Sequence, residues 1–159
     1  MTQLELWKDF AVPEEMETHA PKCGNKKPDL KLFVNPDDES IAEHRLARCV
    51  YAETLASSLP AIESLCVMIR NTRRAAADIA EDESVFESLG KKSSRNKHLL
   101  VDYGDAGFQL CLRTVKKMHK GLLADKIFGA KKFHRADEIP EWANSIGSVA
   151  EVDGLLFYL

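Results

Sequence analysis

The chain has 159 residues, of which 45% are hydrophobic and 30% are charged, and its net charge is −3. This length and composition are typical of one globular domain, large enough to bury a core without disulfides or a structural metal. No run of about 18 apolar residues occurs, which excludes a membrane-spanning helix.

The first 39 residues predict an irregular N-terminal extension, because prolines recur too often for a regular element. These prolines are Pro13, Pro21, Pro28 and Pro36. The start of the chain lacks the basic, apolar and small-residue segments of a signal peptide. We therefore expect the protein to be made in the cytoplasm and to act outside it only after release or non-classical export.

Residues 40–159 predict a single, mainly helical domain. Ser40 and Glu43 have the spacing of a capping box, at the start of a helix expected over 41–57. Pro60 suits the first turn of a second helix. The apolar spacing and alanines that follow it extend this second helix over 60–80.

The middle of the chain predicts a short helix over 81–89, ended by Gly90, and then an exposed basic loop over 91–97. The next helix has the clearest pattern, with an apolar stripe over 108–122 and lysines and an arginine off that stripe. Gly121 offers a stop at the end of this helix.

The C-terminal segment predicts a small β element. Residues 132–134 alternate in polarity, and Pro140 marks the start of a short helix. Asp153-Gly154 lies between two β-prone runs, which is a strong hairpin signal. The predicted fold class is therefore α+β, mainly α, with a small C-terminal β-hairpin or sheet.

The cysteines give no indication of a metal site. Cys23, Cys49, Cys66 and Cys111 show no paired short spacing, and His19 with Cys23 is a single pair in a proline-rich stretch. The last three cysteines fall on apolar helical faces, so we predict buried small hydrophobic residues. No metal and no cofactor is predicted.

The charge is unevenly distributed. Residues 91–135 hold twelve Lys or Arg against three Asp. Such a basic segment suits a polyanionic partner, either nucleic acid or an anionic cell wall polymer. A solvated helix face is the other interpretation of the same pattern.

Glu53 is the candidate catalytic residue, because it lies in the first predicted helix without a charged neighbour one turn away. Those neighbours are Cys49, Val50, Ala56 and Ser57. An apolar setting disfavours the charged form of a carboxyl group, so that it keeps its proton near neutral pH. Glycosidic bond cleavage needs such a general acid. A solvated surface glutamate gives the same sequence pattern.

The segment Cys49-Val50-Tyr51-Ala52-Glu53 resembles the start of the catalytic motif in cell wall hydrolases of the spore-cortex-lytic-enzyme type. The family pattern is roughly Y-x-E-A-R-G-E, and Tyr51 and Glu53 match it. Asn71 falls at the family's spacing from the glutamate. Members of this family have a lysozyme-like fold and cut the glycan strands of peptidoglycan.

Further fragments match the family's motifs in the family's order across the C-terminal half. They are Gly121, Asp125, Gly129, Ala130, Phe133, His134, Pro140, Trp142, Ala143, Val152, Gly154, Phe157 and Tyr158. The resemblance thus covers about residues 45–159 and implies a lysozyme-like domain there.

The resemblance implies that Glu53 protonates the bond between N-acetylmuramic acid and N-acetylglucosamine. It implies substrate-binding roles for Tyr51, Ser57, Asn71, His134 and Tyr158. Ser57 stands where the family has a second glutamate, which favours a single-glutamate lytic transglycosylase over a two-carboxylate hydrolase. Asp102, Asp105 and Asp125 are candidates for a second carboxylate only by exclusion.

Two other functions stay open. The loss of the second glutamate is compatible with a catalytically inactive wall-binding or structural relative. The basic segment over 91–135 is compatible with a helical nucleic-acid-binding protein, although no recognition-helix or stacking motif supports it. The expected partner is therefore the peptidoglycan glycan strand.

Overall fold

The computed structural model describes residues 41–159, and the predicted extension and Ser40 lie outside the described residues. The helices are α1 (Ala42–Thr54), α2 (Leu59–Asn71), α3 (Ala76–Ile79) and α4 (Ala106–His119). The strands are β1 (Lys132–Arg135), β2 (Ala150–Val152) and β3 (Leu155–Tyr158). Short 3-10 helices cover Glu87–Leu89, Asn96–Leu100 and Glu141–Ser145. The predicted α+β class, mainly helical with a small C-terminal sheet, is confirmed.

Helix α1 lies at the centre of the domain and packs against the other three helices. It is shorter than the predicted 41–57, because Leu55 and Ala56 adopt left-handed backbone angles with φ of 52° and 53°. The Thr54 hydroxyl supports this ending, since it accepts a hydrogen bond from the Ala56 N–H at 3.2 Å. Ser57 therefore lies outside the helix, where the sequence prediction was wrong.

Helix α2 begins as predicted and ends early. The Ser58 hydroxyl caps its first turn by accepting from the Ala61 N–H at 3.2 Å, with Pro60 in that turn. The single helix predicted over 60–80 is wrong. Arg73 turns left-handed, with φ of 56°, and the chain restarts as the short α3. The 3-10 turn before Gly90 likewise replaces most of the helix predicted over 81–89.

Helix α4 confirms its predicted apolar stripe, which is buried from Phe108 to Met118. Asp105 caps it by accepting from the Phe108 N–H at 3.0 Å. Gly107 allows close contact with α1, because a Cβ there would come within 2.9 Å of the Ala56 Cβ and 3.2 Å of the Tyr51 ring. The helix ends before Gly121, which has φ of 70°, so Leu122 lies beyond the stripe and is exposed.

The sheet is antiparallel, with β3 in the centre and β1 and β2 at its sides. The predicted hairpin is confirmed: Asp153 and Gly154 have φ of 45° and 84°, the left-handed pair that a type I′ turn requires. Phe133 of β1 packs the sheet against the segment before the first 3-10 helix, because its ring lies 6.2 Å from that of Phe86. It also lies 6.4 Å from the ring of Phe157 in β3.

The core confirms the predicted burial of three cysteines. Burial raises the pKa of the Cys49 thiol to about 12, with a smaller contribution from the charge of Glu53. Burial also raises the pKa of Cys111 to about 12 and raises that of Cys66. Such thiols are neutral small hydrophobic groups. Within residues 41–159, no helix is long and apolar enough to cross a bilayer.

Candidate active site around Glu53 and Arg135

Glu53 lies in the last turn of α1, with 2% of its surface exposed. One carboxylate oxygen accepts a hydrogen bond from the Ser88 N–H at 3.0 Å. The other oxygen forms an ion pair with the guanidinium of Arg135, at the end of β1. The uncharged helical neighbours of Glu53 are thus compatible with a charged partner, since that partner comes from the sheet.

Arg135 holds several carboxylates at once. Its side chain is 7% exposed, and Nη2 donates to Glu87 Oε2 at 2.6 Å and to Glu138 Oε2 at 3.2 Å. Asp137 Oδ1 lies 3.6 Å from Nε. Four carboxylates, including that of Glu53, therefore surround one guanidinium, which leaves the cluster with an excess of negative charge.

The charges in this cluster shift the pKa values of two members. Burial alone lowers the pKa of Arg135, but its bond to Glu87 and the charges of Glu53, Glu87 and Glu138 outweigh burial and raise it. Burial raises the pKa of Glu87, whereas hydrogen bonds from Arg135 and Ser93 outweigh it and give a net decrease. Glu87 and Arg135 are therefore charged at neutral pH.

Two hollows meet at the Glu53–Arg135 pair, which lines both of them. The first hollow has a volume of about 300 Å³ and an apolar wall that includes Phe133, Pro140 and Trp142. Glu87 and Glu138 also line it. The second hollow has a volume of about 330 Å³ and a more polar wall, with Ser57, Arg95, Asp137 and Asp153. A buried carboxyl group thus stands between an apolar and a polar recess.

Three of the predicted substrate-binding residues lie at or behind these hollows. Ser57 lines the second hollow, and His134 lines the first. Tyr158 lies behind His134: its hydroxyl is 2.7 Å from His134 Nε2, and the rings stack 5.3 Å apart. Trp142 packs edge-on against both rings, at 5.8 Å and 5.1 Å. His134 does not contact Glu53 directly; its neighbour Arg135 does.

The other two predicted residues lie elsewhere. Tyr51 is two residues before Glu53, which turns it to the side of α1 that faces α4, and it lines neither hollow. Asn71 lies at the far end of α2, where its amide donates to the Ala130 carbonyl at 3.1 Å. Both departures arise because a helix separates in space residues that a motif places close together.

The three aspartates considered as second carboxylates also lie away from Glu53. Asp105 caps α4, and Asp125 accepts from the N–H groups of Ile127 and Gly129 at 2.8 and 2.9 Å. Neither they nor Asp102 line the two hollows. The carboxylates that do so are those around Arg135 and that of Asp153.

Sequence reasoning missed Arg135, Glu87 and Ser88. Arg135 directly follows the predicted His134, and this adjacency was the one signal in the sequence. Glu87 lies in a 3-10 turn 34 residues after Glu53, and no periodicity connects the two.

Comparison of the chain with protein-family models, with curated proteins and with solved structures found no match. Among residues 41–159, no group of three or more His, Cys, Asp or Glu is arranged to hold a metal ion.

Proposed function

We propose that this protein is a lysozyme-like cell wall hydrolase that cleaves peptidoglycan between N-acetylmuramic acid and N-acetylglucosamine, with Glu53 as its acid. The observation that carries this proposal is the position of Glu53, a buried carboxyl group at the junction of two hollows. The ordered motif resemblance over residues 45–159 supports the same function.

The two hollows suit a glycan strand that crosses Glu53. Ligand sites combine apolar walls with a few placed polar groups, and the lining of the first hollow includes both Trp142 and Phe133 and the acidic Glu87 and Glu138. The apolar face of a sugar ring would lie against the aromatic wall. The more polar second hollow, with Ser57 and Arg95, would hold the sugar on the other side of the scissile bond.

A general acid transfers its proton to the leaving oxygen, and Glu53 is the most buried of the four carboxylates around Arg135. The side chains of the other three are exposed. When Glu53 turns to the substrate, Arg135 keeps its bonds to Glu87 and Glu138.

In the single-glutamate route, Glu53 donates its proton to the glycosidic oxygen and the bond to the anomeric carbon breaks. The resulting carboxylate, which the Arg135 guanidinium stabilises, then takes the proton of the muramyl 6-hydroxyl. The 6-oxygen bonds to the anomeric carbon and closes a 1,6-anhydro ring, so no water is consumed. Glu87 and Glu138 line the same hollow and are the carboxylates available to a two-carboxylate hydrolase.

The test is digestion of purified peptidoglycan by the wild type, Glu53→Gln and the control Glu151→Gln, which changes an exposed carboxylate on β2. Mass spectrometry of the fragments distinguishes anhydro ends from reducing ends. We expect anhydro fragments from the wild type and the control, and at least a hundredfold less from Glu53→Gln. Digestion by Glu53→Gln at the wild-type rate would contradict the role of Glu53.

A second candidate is a glycan-binding relative without chemistry. The direct Glu53–Arg135 ion pair favours this candidate, because an ion pair needs the carboxylate form and a general acid needs the protonated form. Ser57 in the position of the family's second glutamate points the same way. This candidate predicts that the wild type binds insoluble peptidoglycan and releases no fragments.

A further inference from the structure

A separate basic hollow lies beside the C-terminal end of α2. Its volume is about 540 Å³, and its lining consists of Arg70, Asn71, Thr72, Arg73, Gly129 and Lys131. Three of these residues are cationic and none is acidic. A cavity lined by charges of one sign concentrates counter-ions of the other sign.

Arg73 lies just beyond α2 in a backbone conformation that favours glycine. Its φ of 56° is left-handed, a conformation that glycine adopts at helix ends without strain. Within residues 41–159, neither Arg73 nor Lys131 forms a side-chain hydrogen bond or ion pair, whereas Arg70 Nη1 donates to the Leu123 carbonyl at 2.5 Å. Two cationic groups at this hollow are therefore available to a ligand.

Two acidic groups on this side of the domain, Asp125 and Asp82, are already engaged. Asp125 accepts from two backbone N–H groups, and its second oxygen lies 3.4 Å from the Asn71 amide. Asp82 is paired with Arg74 at 2.7 Å. An adjoining hollow shares Arg70 and Arg73 and adds Arg74 and His119.

This surface lies at the opposite end of α1 from Glu53. His119, which lines the adjoining hollow, contacts Glu43 in the first turn of α1 at 2.9 Å. Glu43 and Glu53 are ten residues apart, or about 15 Å along the helix axis. The basic hollow is thus separate from the two hollows at Glu53.

We propose that the basic hollow binds the phosphodiester groups of a polyol-phosphate polymer, an anionic companion of peptidoglycan in cell walls. Arginine and lysine side chains bind phosphate through charge-assisted hydrogen bonds. Among residues 41–159, no aromatic side chain lines the hollow, and single-stranded nucleic acid is held largely by stacking on such side chains. The choice of polymer rests on the proposed function, whereas the phosphate chemistry does not.

The test is titration calorimetry of the full chain with poly(glycerol phosphate), inorganic phosphate and a single-stranded oligonucleotide of equal charge. We expect the polymer to bind most tightly and Arg73→Gly to weaken it about tenfold. Arg73→Gly should also lower the slope of log affinity against log salt by about 1. Arg73→Lys should bind nearly as the wild type, and the control Lys91→Met, an exposed lysine in another loop, should not change binding.

Arg73→Gly keeps the test falsifiable because glycine adopts φ of 56° freely, so its urea midpoint should be no lower than that of the wild type. Unchanged polymer affinity in Arg73→Gly would overturn the site. The choice of polymer would be overturned if the oligonucleotide bound more tightly than poly(glycerol phosphate). It would also be overturned if inorganic phosphate bound and the polymer did not. Glu53→Gln should bind the polymer with the affinity of the wild type. Polymer binding and peptidoglycan cleavage can therefore fail or succeed separately.

Discussion

The Glu53–Arg135 pair allows a double-mutant cycle whose outcome follows from its surroundings. Arg135→Met leaves the Glu53 carboxylate buried with the Ser88 N–H as its remaining partner at 3.0 Å. Breaking a buried ion pair in this way costs about 3–5 kcal/mol of unfolding free energy. Glu53→Gln should lower the unfolding free energy by less, about 1–3 kcal/mol, because Arg135 keeps its bonds to Glu87 and Glu138. The remaining cost comes from an amide that replaces one carboxylate beside the guanidinium.

The double variant Glu53→Gln/Arg135→Met contains neither charge. We expect it to be more stable than Arg135→Met alone, with a coupling energy of about 2–3 kcal/mol between the two positions. Urea unfolding followed by circular dichroism measures all four proteins. Additive effects, or a cost below about 1 kcal/mol for Arg135→Met, would refute the conclusion that Glu53 depends on this guanidinium.

The remaining predictions concern the thiols, acid stability and the core. Burial raises the pKa of the Cys49 and Cys111 thiols to about 12, so they should react with a thiol reagent only at the rate of global unfolding. The measurement uses a Cys23→Ser variant, which removes the thiol outside the described residues, and faster labelling would show that the core opens locally. Because these pKa values are raised above the ordinary 9.0, unfolding free energy should fall as pH rises from about 9, and a rise there would contradict their burial. The pKa of Glu87 is lowered from its ordinary value of 4.5, so its carboxylate stabilises the fold above about pH 4.5 and loses this effect on acidification. The unfolding free energy of the wild type should exceed that of Glu87→Gln by at most about 1 kcal/mol at pH 6, and this difference should close by pH 3. Phe86→Ala should cost about 3–5 kcal/mol in urea unfolding, because Phe86 is fully buried and packs against Phe133 of β1. A cost below about 1 kcal/mol would mean that the site collapses around the cavity.

Much of the fold follows from local sequence chemistry. The apolar stripe of α4, the Asp153-Gly154 turn and the burial of three cysteines are all properties of short segments. Periodicity and turn preference act within a few residues, so the sequence predicts them directly. For Glu53 the sequence left both a buried and a solvated carboxyl group open, and the fold buries it.

The helix ends and the site needed the tertiary structure. Leu55 and Arg73 adopt left-handed angles that their residue types disfavour, so packing and not propensity ends α1 and α2 there. Glu53 meets Arg135 across 82 positions of chain, and Glu87 joins them from a turn without a sequence signature. A buried charge requires a partner, but only the folded chain decides which one, since every exposed Lys or Arg in the unfolded sequence is an equal candidate.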